Sequence, residues 1–494
     1  NIDTVGLFKA LAYDENINKD DYINNLINDI KNFKNNDLNI PNINAKLRDY
    51  QIDGLKWLNV LTKYNLGGIL ADDMGLGKTL EMISLFESNK DKKPILIICP
   101  KSLIFNWGSE ISKFSPNTKC IKIYGSLNER HKIIKNIDND ERIIYITSYD
   151  SLRNDLELYK DILFNFLVLD EAQAIKNVNA IKSKNVKELN GIHKFALTGT
   201  PIENSVIDLW SIFDFILPKY LEDLNVFMAK YLNNKEYTKI ISKKIAPFIL
   251  RRTKKDVLND LPEKYEHIIS CDMSEKQRMI YDAHINDAKE KILNEEVFEM
   301  LPYLTVLREI CVDPSLIDLN YFDMSGKLSY LNEMLPKYIK DGHKILIFSS
   351  FVKGLERISK LLDELNIKYF VLTGQTPIEV RNKETNIFNN NDNIKVYLIS
   401  LKAGGTGLNL VGADTVIHLD PWWNSSAENQ ATDRAHRIGQ QRNVEVIKLI
   451  SSDSIEERVI ELQNIKKDII NELINNDEKS ITSITMDDIK FILG

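Results

Sequence analysis

The octapeptide DDMGLGKT, which begins at Asp72, has the residue types and spacing of a loop that binds phosphate. Gly75 and Gly77 allow the backbone to bend until successive N–H groups point at one anion, and a following helix adds its positive end. Lys78 could then reach the β- and γ-phosphates of a nucleotide, and the Thr79 hydroxyl could hold Mg²⁺. Asp72 replaces the first glycine of the strict G-x-x-x-x-G-K-[ST] pattern, so the match is imperfect at one position.

A second candidate group is the acidic pair Asp170 and Glu171, which ends the apolar run FLVLD and opens the sequence DEAQ. Open parallel sheets bind their ligands at the carboxyl ends of the strands, and this pair is expected at that edge. Asp170 is suited to holding Mg²⁺, and Glu171 to orienting and deprotonating an attacking water. Together with the phosphate loop, the pair predicts phosphoryl transfer to water.

The second half of the chain supplies cations in the stretch QATDRAHRIGQ. Arg434 and Arg437 are three residues apart, so on a helix or tight turn both side chains point the same way. Arginines aimed at the γ-phosphate oxygens stabilise the charge of the transition state.

A glycine-rich turn precedes this stretch, with Gly404, Gly405 and Gly407 around Thr406. Its backbone amides could approach an anion closely. We expect that anion to be a backbone phosphate of a nucleic acid, with the nucleotide as the alternative.

The elements that must position these groups are strands alternating with helices. Between 68 and 198 the runs GGILA, ILIIC, CIKIY, IIYIT, FLVLD and KFALT predict one parallel sheet covered on both faces. Between 344 and 449 the runs KILIFS, KYFVLT, IKVYLIS, DTVIHL and VEVIKL predict a second sheet. Residues 205–325 have helical spacing and few strand-like runs. We expect the basic cluster RRTKK within them to be a solvated face, with phosphate contact as the alternative.

Composition is that of a globular chain of two or three domains, with 494 residues, 43% hydrophobic and 27% charged. The net charge of −7 means that any nucleic-acid site must be a local basic surface. The four cysteines are widely spaced, which predicts neither a zinc site nor a disulfide framework and fits a reducing compartment. The apolar runs are too short to span a bilayer, and Asn1 in place of methionine fits a fragment of a longer chain.

These motifs, in this order, resemble a superfamily II helicase-like ATPase of the Swi/Snf type. The resemblance covers roughly residues 46–475 and is carried by LRDYQ, DDMGLGKT, ICPKSLIFNW, ITSYDSL, DEAQ, LTGTPIEN, ILIFSSF, AGGTGLNL and QATDRAHRIGQ. It implies an α/β fold of two RecA-like lobes with parallel sheets flanked by helices, plus helical insertions between the lobes, and ATP in the interlobe cleft. The implied domains are an N-terminal appendage at 1–46, the first lobe at 47–204, an insertion and linker at 205–325, the second lobe at 326–453, and a brace helix and tail at 454–494.

The resemblance also implies roles for individual residues. Nucleotide contacts fall to Gln51, which would read the adenine edge, to Asp72, Asp73, Met74, Gly75, Leu76, Gly77, Lys78 and Thr79, and to Gln430. Lys78, Asp170, Glu171, Arg434 and Arg437 would be catalytic, with Thr79 and Asp170 holding the metal. DNA contacts would come from Pro100, Lys101, Thr147, Ser148, Ser349, Ser350, Gly404, Gly405 and Thr406. Thr198, Thr200 and Glu203 would couple hydrolysis to the lobes.

The function implied is an ATP- and Mg²⁺-dependent translocase on double-stranded DNA that remodels or displaces DNA-bound proteins. Phosphate contacts track a strand without reading bases, so sequence preference should be weak. A strand-separating helicase and an ATP-gated DNA clamp without turnover are the alternatives. We expect a monomeric motor with no membrane partner, nucleoid-associated if bacterial and nuclear if eukaryotic. Gln173 and Asp73 depart from the His and Glu common in relatives.

Overall fold

The structure is a computed structural model, and the chain in it divides into two compact units with the boundary at residues 259–260. It describes residues 21–199, 206–233, 235–258, 261–291, 297–404, 408–423 and 425–464. Among these residues, no helix combines the length and the apolar character needed to cross a membrane.

The first unit is built on a seven-stranded sheet in the order β3-β4-β2-β5-β6-β1-β7, with every pair of neighbours parallel. The strands are β1 Gly68–Leu70, β2 Ile95–Cys99, β3 Cys120–Lys122, β4 Ile144–Ser148, β5 Leu163–Asp170, β6 Asn190–Leu197 and β7 Ile249–Leu250. All five residues of β2 are buried, as are six of the eight in β5. Such runs are apolar on both faces because helices cover both sides of the sheet. The six predicted strands are therefore confirmed, and β7 is an addition.

Helices of the first unit precede, connect and follow these strands. They are α1 Asp21–Lys31, α2 Asp49–Lys63, α3 Lys78–Ser88, α4 Ile104–Phe114, α5 Leu127–Lys135, α6 Tyr149–Asp155, α7 Ile181–Lys187, α8 Val206–Ile216, α9 Leu224–Asn233, α10 Lys235–Ile245 and α11 Lys254–Val257. The helix α1 belongs to the predicted polar appendage, and its Leu26 and Ile30 are buried in the core of this unit.

The second unit contains a six-stranded parallel sheet in the order β10-β11-β9-β12-β13-β8. Its strands are β8 Lys264–Cys271, β9 Ile345–Ser349, β10 Tyr369–Leu372, β11 Val396–Ser400, β12 Thr415–His418 and β13 Val444–Ser451. Its helices are α12 Glu275–Lys291, α13 Val297–Val312, α14 Gly326–Lys340, α15 Val352–Glu364, α16 Ile378–Asn390, α17 Leu401–Gly404 and α18 Ser425–Thr432. The predicted fold class, two parallel sheets flanked by helices, is confirmed.

The segment predicted as one helical insertion, 205–325, is divided between the two units. Helices α8 to α10 and strand β7 fall in the first unit, whereas β8, α12 and α13 fall in the second. The strand β8 was not predicted, because its sequence KYEHIISC carries charged residues and is largely exposed at the edge of the sheet.

The C-terminal apolar stripe forms a helix that the structure describes as far as residue 464. Ile455, Val459 and Leu462 are buried in one cluster with residues of α12 and α13. The rest of the stripe, Ile465, Ile469 and Leu473, lies outside the described residues.

Candidate active site

The phosphate loop connects β1 to α3 at the carboxyl edge of the first sheet. Gly75 and Gly77 have φ of 89° and 88°, in the left-handed region that favours glycine. A Cβ on Gly77 would lie 2.5 Å from the Gln51 amide nitrogen, so a side chain at this position would have to displace the Gln51 amide. The helix α3 begins at Lys78, so the N–H groups of its first turn, which have no partner within the helix, lie at this loop. The predicted strand, turn and helix are all present.

Lys78 contacts the backbone of its own loop. Its Nζ donates to the carbonyl oxygens of Asp72 at 2.6 Å and Asp73 at 3.3 Å. The lysine, the adjacent Thr79, and the loop residues Asp73, Met74, Gly75 and Gly77 are partly exposed, whereas Leu76 and Asp72 are fully buried. The ammonium group is therefore held at the loop on which a phosphate would bind.

Gln51 supports the phosphate loop from the start of α2. Its Nε2 donates to the Leu76 carbonyl at 3.1 Å, and its Oε1 accepts from the Arg48 N–H at 3.0 Å. Tyr50 donates its hydroxyl to the same Leu76 carbonyl at 2.8 Å. Both ends of the Gln51 amide are thus engaged within the protein, and reading an adenine edge would require these bonds to break.

Asp72 and Asp73 bind the segment that follows β7. The Asp72 carboxylate accepts from the backbone N–H of Arg252 at 3.0 Å and from its Nε at 2.9 Å, and a second guanidinium nitrogen also donates to it. The same guanidinium donates to both carboxylate oxygens of Glu81, at 2.7 and 2.9 Å. The prediction that RRTKK is a solvated face is wrong for Arg252, which is 9% exposed, and holds for its neighbour Arg251.

Electrostatics in this cluster follow from burial. Loss of solvent raises the pKa of Glu81 although the Arg252 charge opposes the shift. Burial alone would lower the pKa of Arg252, but its hydrogen bond to Asp72 and the charges of Glu81 and Asp72 raise it overall. A buried guanidinium with two carboxylates requires close geometry to offset the desolvation of all three groups.

The acidic pair lies at the end of β5, two strands from β1 in the sheet. Trp107 donates its indole N–H to Asp170 Oδ2 at 2.8 Å, and Tyr149 donates to the Asp170 carbonyl at 2.9 Å. Loss of solvation, with a contribution from the Glu171 charge, raises the pKa of Asp170 to about 7, against the opposing effects of Trp107 and Lys78. The lysine of the phosphate loop therefore acts electrostatically on the carboxylate predicted to hold the metal.

Glu171 starts a chain of hydrogen bonds that runs to the next strand. Its φ is 50°, and its carboxylate accepts from the Gln173 side chain at 2.7 Å. Gln173 in turn accepts from the Thr198 hydroxyl at 3.0 Å, just after β6. Sequence reasoning recorded Gln173 only as a departure from the family pattern, whereas the structure makes it the link between Glu171 and Thr198. Thr200 and Glu203 lie outside the described residues.

The arginines of the second unit differ in exposure. Because α18 ends at Thr432, both lie in the turns that follow it. Arg434 is 3% exposed and donates its Nε to the Gly404 carbonyl at 3.1 Å, whereas Arg437 is partly exposed. Gln430 is partly exposed on α18.

Several residues predicted to contact DNA are buried within their own units. Thr147, Ser148 and Ser349 are at most 1% exposed. The Ser148 hydroxyl accepts from the Ser151 N–H at 3.1 Å as the cap of α6, and the Ser349 hydroxyl donates to Asp420 at 2.7 Å. Gly404 is buried as well. In this conformation these four residues face the protein interior, so a DNA contact would have to come from their neighbours.

Other predicted DNA residues are accessible. Lys101 is exposed, with its Nζ 5.6 Å from the centre of the Tyr124 ring, and Pro100 is partly exposed. Ser350 is also partly exposed, and its backbone N–H donates to Asp420 at 3.0 Å. Gly405 and Thr406 lie outside the described residues.

The second unit also contains a buried arginine that sequence reasoning missed. Arg308 on α13 is 3% exposed and donates to Asp420 at 2.8 Å. Its guanidinium carbon lies 4.9 to 5.2 Å from the ring centres of Phe351, Trp422 and Trp423. The charge and the paired tryptophans of DPWW thus form one packed cluster beside Ser349.

The chain contains two units built on parallel sheets, and the first unit has a glycine-rich phosphate loop and an acidic pair at the carboxyl edge of its sheet. This combination defines the class of two-lobed helicase-like proteins. The SNF2-related domain model matches residues 50–316, and the helicase conserved C-terminal domain model matches residues 326–439. The chain belongs to the SNF2-related family, as its motifs predicted.

Similar proteins occur in bacteria, archaea and eukaryotes. An uncharacterised ATP-dependent helicase of Mycoplasma genitalium is 38% identical over 90% of this chain and 44% of its own length. A putative ATP-dependent helicase/translocase of Bacillus subtilis is 35% identical over 91% of this chain and 51% of its own length. The TATA-binding protein-associated factor mot1 of Schizosaccharomyces pombe is 34% identical over 90% of this chain and 27% of its own length. The chain thus spans about half or less of the curated relatives it matches.

A solved structure, the Sulfolobus solfataricus SWI2/SNF2 ATPase core in complex with dsDNA, is 36% identical to this chain. The match covers 89% of this chain and 95% of that chain, with a TM-score of 0.46.

Proposed function

We propose that this chain is an ATP-dependent translocase on double-stranded DNA that remodels or displaces DNA-bound proteins. The observation that carries the proposal is the phosphate loop with Lys78 on one edge of a parallel sheet that also presents Asp170 and Glu171. Membership of the SNF2-related family supports it, as do relatives named as ATP-dependent helicases.

ATP would bind with its phosphates on the loop before α3. Lys78 would exchange the carbonyl oxygens of Asp72 and Asp73 for phosphate oxygens, which gives the ammonium group a stronger, charge-assisted bond. Gly75 and Gly77 would direct backbone N–H groups at the same phosphates. The positive end of α3 adds to this attraction for anions.

The residues predicted to hold Mg²⁺ fit the ion in their chemistry. A carboxylate and a hydroxyl are oxygen ligands of the kind that Mg²⁺ prefers, and Asp170 is held in orientation by Trp107. When bound, Mg²⁺ neutralises charge on the phosphate oxygens. Among the described residues no group of three or more His, Cys, Asp and Glu side chains is placed to hold a metal. Asp170 and Thr79 would supply two oxygen ligands, and Mg²⁺ commonly takes waters and substrate phosphates as its others.

Glu171 would accept a proton from the attacking water. Gln173 fixes one carboxylate oxygen, which leaves the other free to orient the water. Because Gln173 also binds Thr198, the position of the base depends on the segment after β6, where coupling residues are expected. In the second unit, we assign Arg437 to stabilising the transition state and Arg434 to positioning the turn that carries it.

The DNA track would consist of phosphate contacts from residues including Lys101 and Ser350, at the strand ends of both units. Such contacts are insensitive to sequence and weaken as salt rises. The relatives named TATA-binding protein-associated factors support a DNA-bound protein as the client of this chain. We propose that the motor acts as a monomer in the nucleoid of a bacterium or the nucleus of a eukaryote.

The experiment that tests translocation is displacement of a triplex-forming strand from duplex DNA. We expect displacement by the wild-type chain that requires ATP and is lost in Lys78→Ala. Lys160→Ala is the matched control, because Lys160 is exposed and its ion pair among the described residues is with the exposed Glu157, three residues away. Unwinding of a forked duplex without triplex displacement would instead favour the strand-separating helicase, and ATP-dependent DNA binding without turnover would favour the clamp.

A further inference from the structure

Residues 250–258, the segment that leaves the first unit (the exit segment), are attached to β1 and to the start of the phosphate loop as far as Lys254. Strand β7 pairs with β1 in the register Ile69 to Ile249 and Leu70 to Leu250. Beyond the strand, the Ala71 N–H donates to the Leu250 carbonyl at 2.7 Å, and the Asp73 N–H donates to the Arg252 carbonyl at 3.0 Å. The chain crosses into the second unit only a few residues later, at 259–260.

Side chains of the loop strengthen this attachment. The Asp73 carboxylate accepts from the Lys254 N–H at 2.9 Å, and Asp72 binds the backbone and the guanidinium of Arg252. Arg252 continues to Glu81, on the first turn of α3. One buried side chain therefore joins the phosphate loop, the helix that follows it and the exit segment.

The dipeptide Asp72–Asp73 is shared by two cations. Its carbonyl oxygens accept from Lys78, and its carboxylates bind Arg252 and the Lys254 backbone. If Lys78 moves to a phosphate, the dipeptide loses the partner on its carbonyl side while the exit segment still holds its carboxylates. Phosphate binding therefore changes the hydrogen bonds of Asp72 and Asp73, the same two residues that bind the exit segment.

The second unit holds its own end of the connection in a similar way. His436, in the stretch with Arg434 and Arg437, makes a hydrogen bond of 2.8 Å from Nε2 to the Pro262 carbonyl. The Glu263 N–H donates to Asn443 at 3.1 Å. In each unit, therefore, the connecting chain makes a hydrogen bond to a motif that we assign to ATP: Lys254 to the phosphate loop and Pro262 to the stretch with the two arginines.

We propose that Arg252 is a positioning residue that transmits the nucleotide state of the phosphate loop to residues 250–258, the segment leading out of the first unit. This inference rests on the proposed function, because it assumes that a nucleotide binds the loop. It predicts that nucleotide binding and the response of the exit segment can be separated by changing Arg252.

The test is hydrogen exchange of the peptide covering 250–258 in the full chain, with and without adenylyl imidodiphosphate and Mg²⁺. We expect nucleotide to change the exchange rate about fivefold or more in the wild type, the low end of typical coupling between sites. Arg252→Lys keeps the charge but loses the fork that bridges Asp72 and Glu81, so it should bind nucleotide and lose this response. Arg251→Lys, at the exposed neighbouring position, should retain the response.

The steady-state readout is the stimulation of ATP hydrolysis by duplex DNA. In Arg252→Lys this stimulation should fall while the KM for ATP stays within about threefold of the wild type, a split that a merely unstable protein would not give. If Arg252→Lys does not fold, Arg252→Met combined with Glu81→Gln takes its place in both assays. This variant leaves Asp72 unchanged, with its hydrogen bond from the backbone N–H at position 252.

Several results would overturn the inference. One is an exchange response in the Arg252 variant equal to that of the wild type. Another is loss of nucleotide binding in a variant with an unchanged melting temperature, because Arg252 would then serve the loop alone. A third is nucleotide binding by the wild type without any change in the exit segment. Failure of the proposed function gives a different result, since the wild type itself would neither bind nor hydrolyse ATP.

Discussion

Replacing Trp107 by Phe should move the pH dependence of ATP hydrolysis, because Trp107 donates the one side-chain hydrogen bond described for Asp170 Oδ2. The pKa of Asp170 is already raised to about 7 by loss of solvation, and the indole N–H opposes that shift. A hydrogen bond to a charged group contributes roughly 1.5–3 kcal/mol, which corresponds to about 1–2 pKa units. Without it, the pKa of Asp170 should rise further, because the hydrogen bond favours the ionised carboxylate.

Asp170 must be ionised to hold Mg²⁺, so the acidic limb of kcat/KM should shift upward by about 1–2 pH units in Trp107→Phe. A shift of this size lowers the ionised fraction of Asp170, so kcat/KM at pH 7 should fall roughly 5- to 50-fold and recover to within about twofold at pH 9. The assay is steady-state phosphate release from pH 6 to 9 at saturating DNA.

The matched control is Trp57→Phe, which removes an indole hydrogen bond of 3.2 Å to the Pro247 carbonyl in the same unit. It should lower stability without moving the pH profile. A loss of activity in Trp107→Phe that is the same at every pH would contradict this prediction, because it would show that Trp107 acts through packing and not through the ionisation of Asp170.

Three further predictions concern folding and binding. Gly77→Ala should abolish nucleotide binding, measured by fluorescence titration. Its control is Gly342→Ala, where φ is a similar 91° and an added Cβ would have no atom within 4 Å. That change should lower the free energy of unfolding by only about 1–2 kcal/mol. Arg308→Ala leaves the buried Asp420 carboxylate without its ion-pair partner, although Ser349 and Ser350 still donate to it. This should lower the free energy of unfolding by about 3–5 kcal/mol in denaturant unfolding. Arg442→Ala, whose side chain is 66% exposed, should lower it by about 1 kcal/mol or less. The raised pKa of Asp170 means that, as pH rises, this carboxyl ionises in the unfolded chain before it does so in the folded protein. The free energy of unfolding therefore falls as pH rises from about 4 to 7. Asp170→Asn, which cannot ionise, should raise the melting temperature more at pH 8 than at pH 5.

The sheets were predictable because their strands are continuous apolar runs. ILIIC and FLVLD can only be buried on both faces, and both became central strands. The strand β8 escaped prediction because an exposed edge strand needs no apolar pattern, and β7 because two residues carry no periodicity.

The candidate site was predictable where a motif is local and not where a partner is distant in sequence. The phosphate loop is eight consecutive residues, and its glycines have the positive φ that their type allows. Arg252 lies 180 residues from Asp72, and nothing in RRTKK distinguishes its buried arginine from its exposed neighbour. Burial of Thr147 and Ser349 likewise depends on tertiary packing, which a motif match does not report.

The rate of phosphate release tests most directly whether ATP hydrolysis uses Glu171 as its base and responds to duplex DNA. It is measured for the wild type and for Glu171→Gln, each with duplex DNA, single-stranded DNA and no DNA. We predict turnover by the wild type that rises more with duplex than with single strands, and no turnover in Glu171→Gln despite unchanged nucleotide binding. Turnover retained in Glu171→Gln would contradict the assignment of the base, and equal stimulation by both forms of DNA would contradict translocation on the duplex.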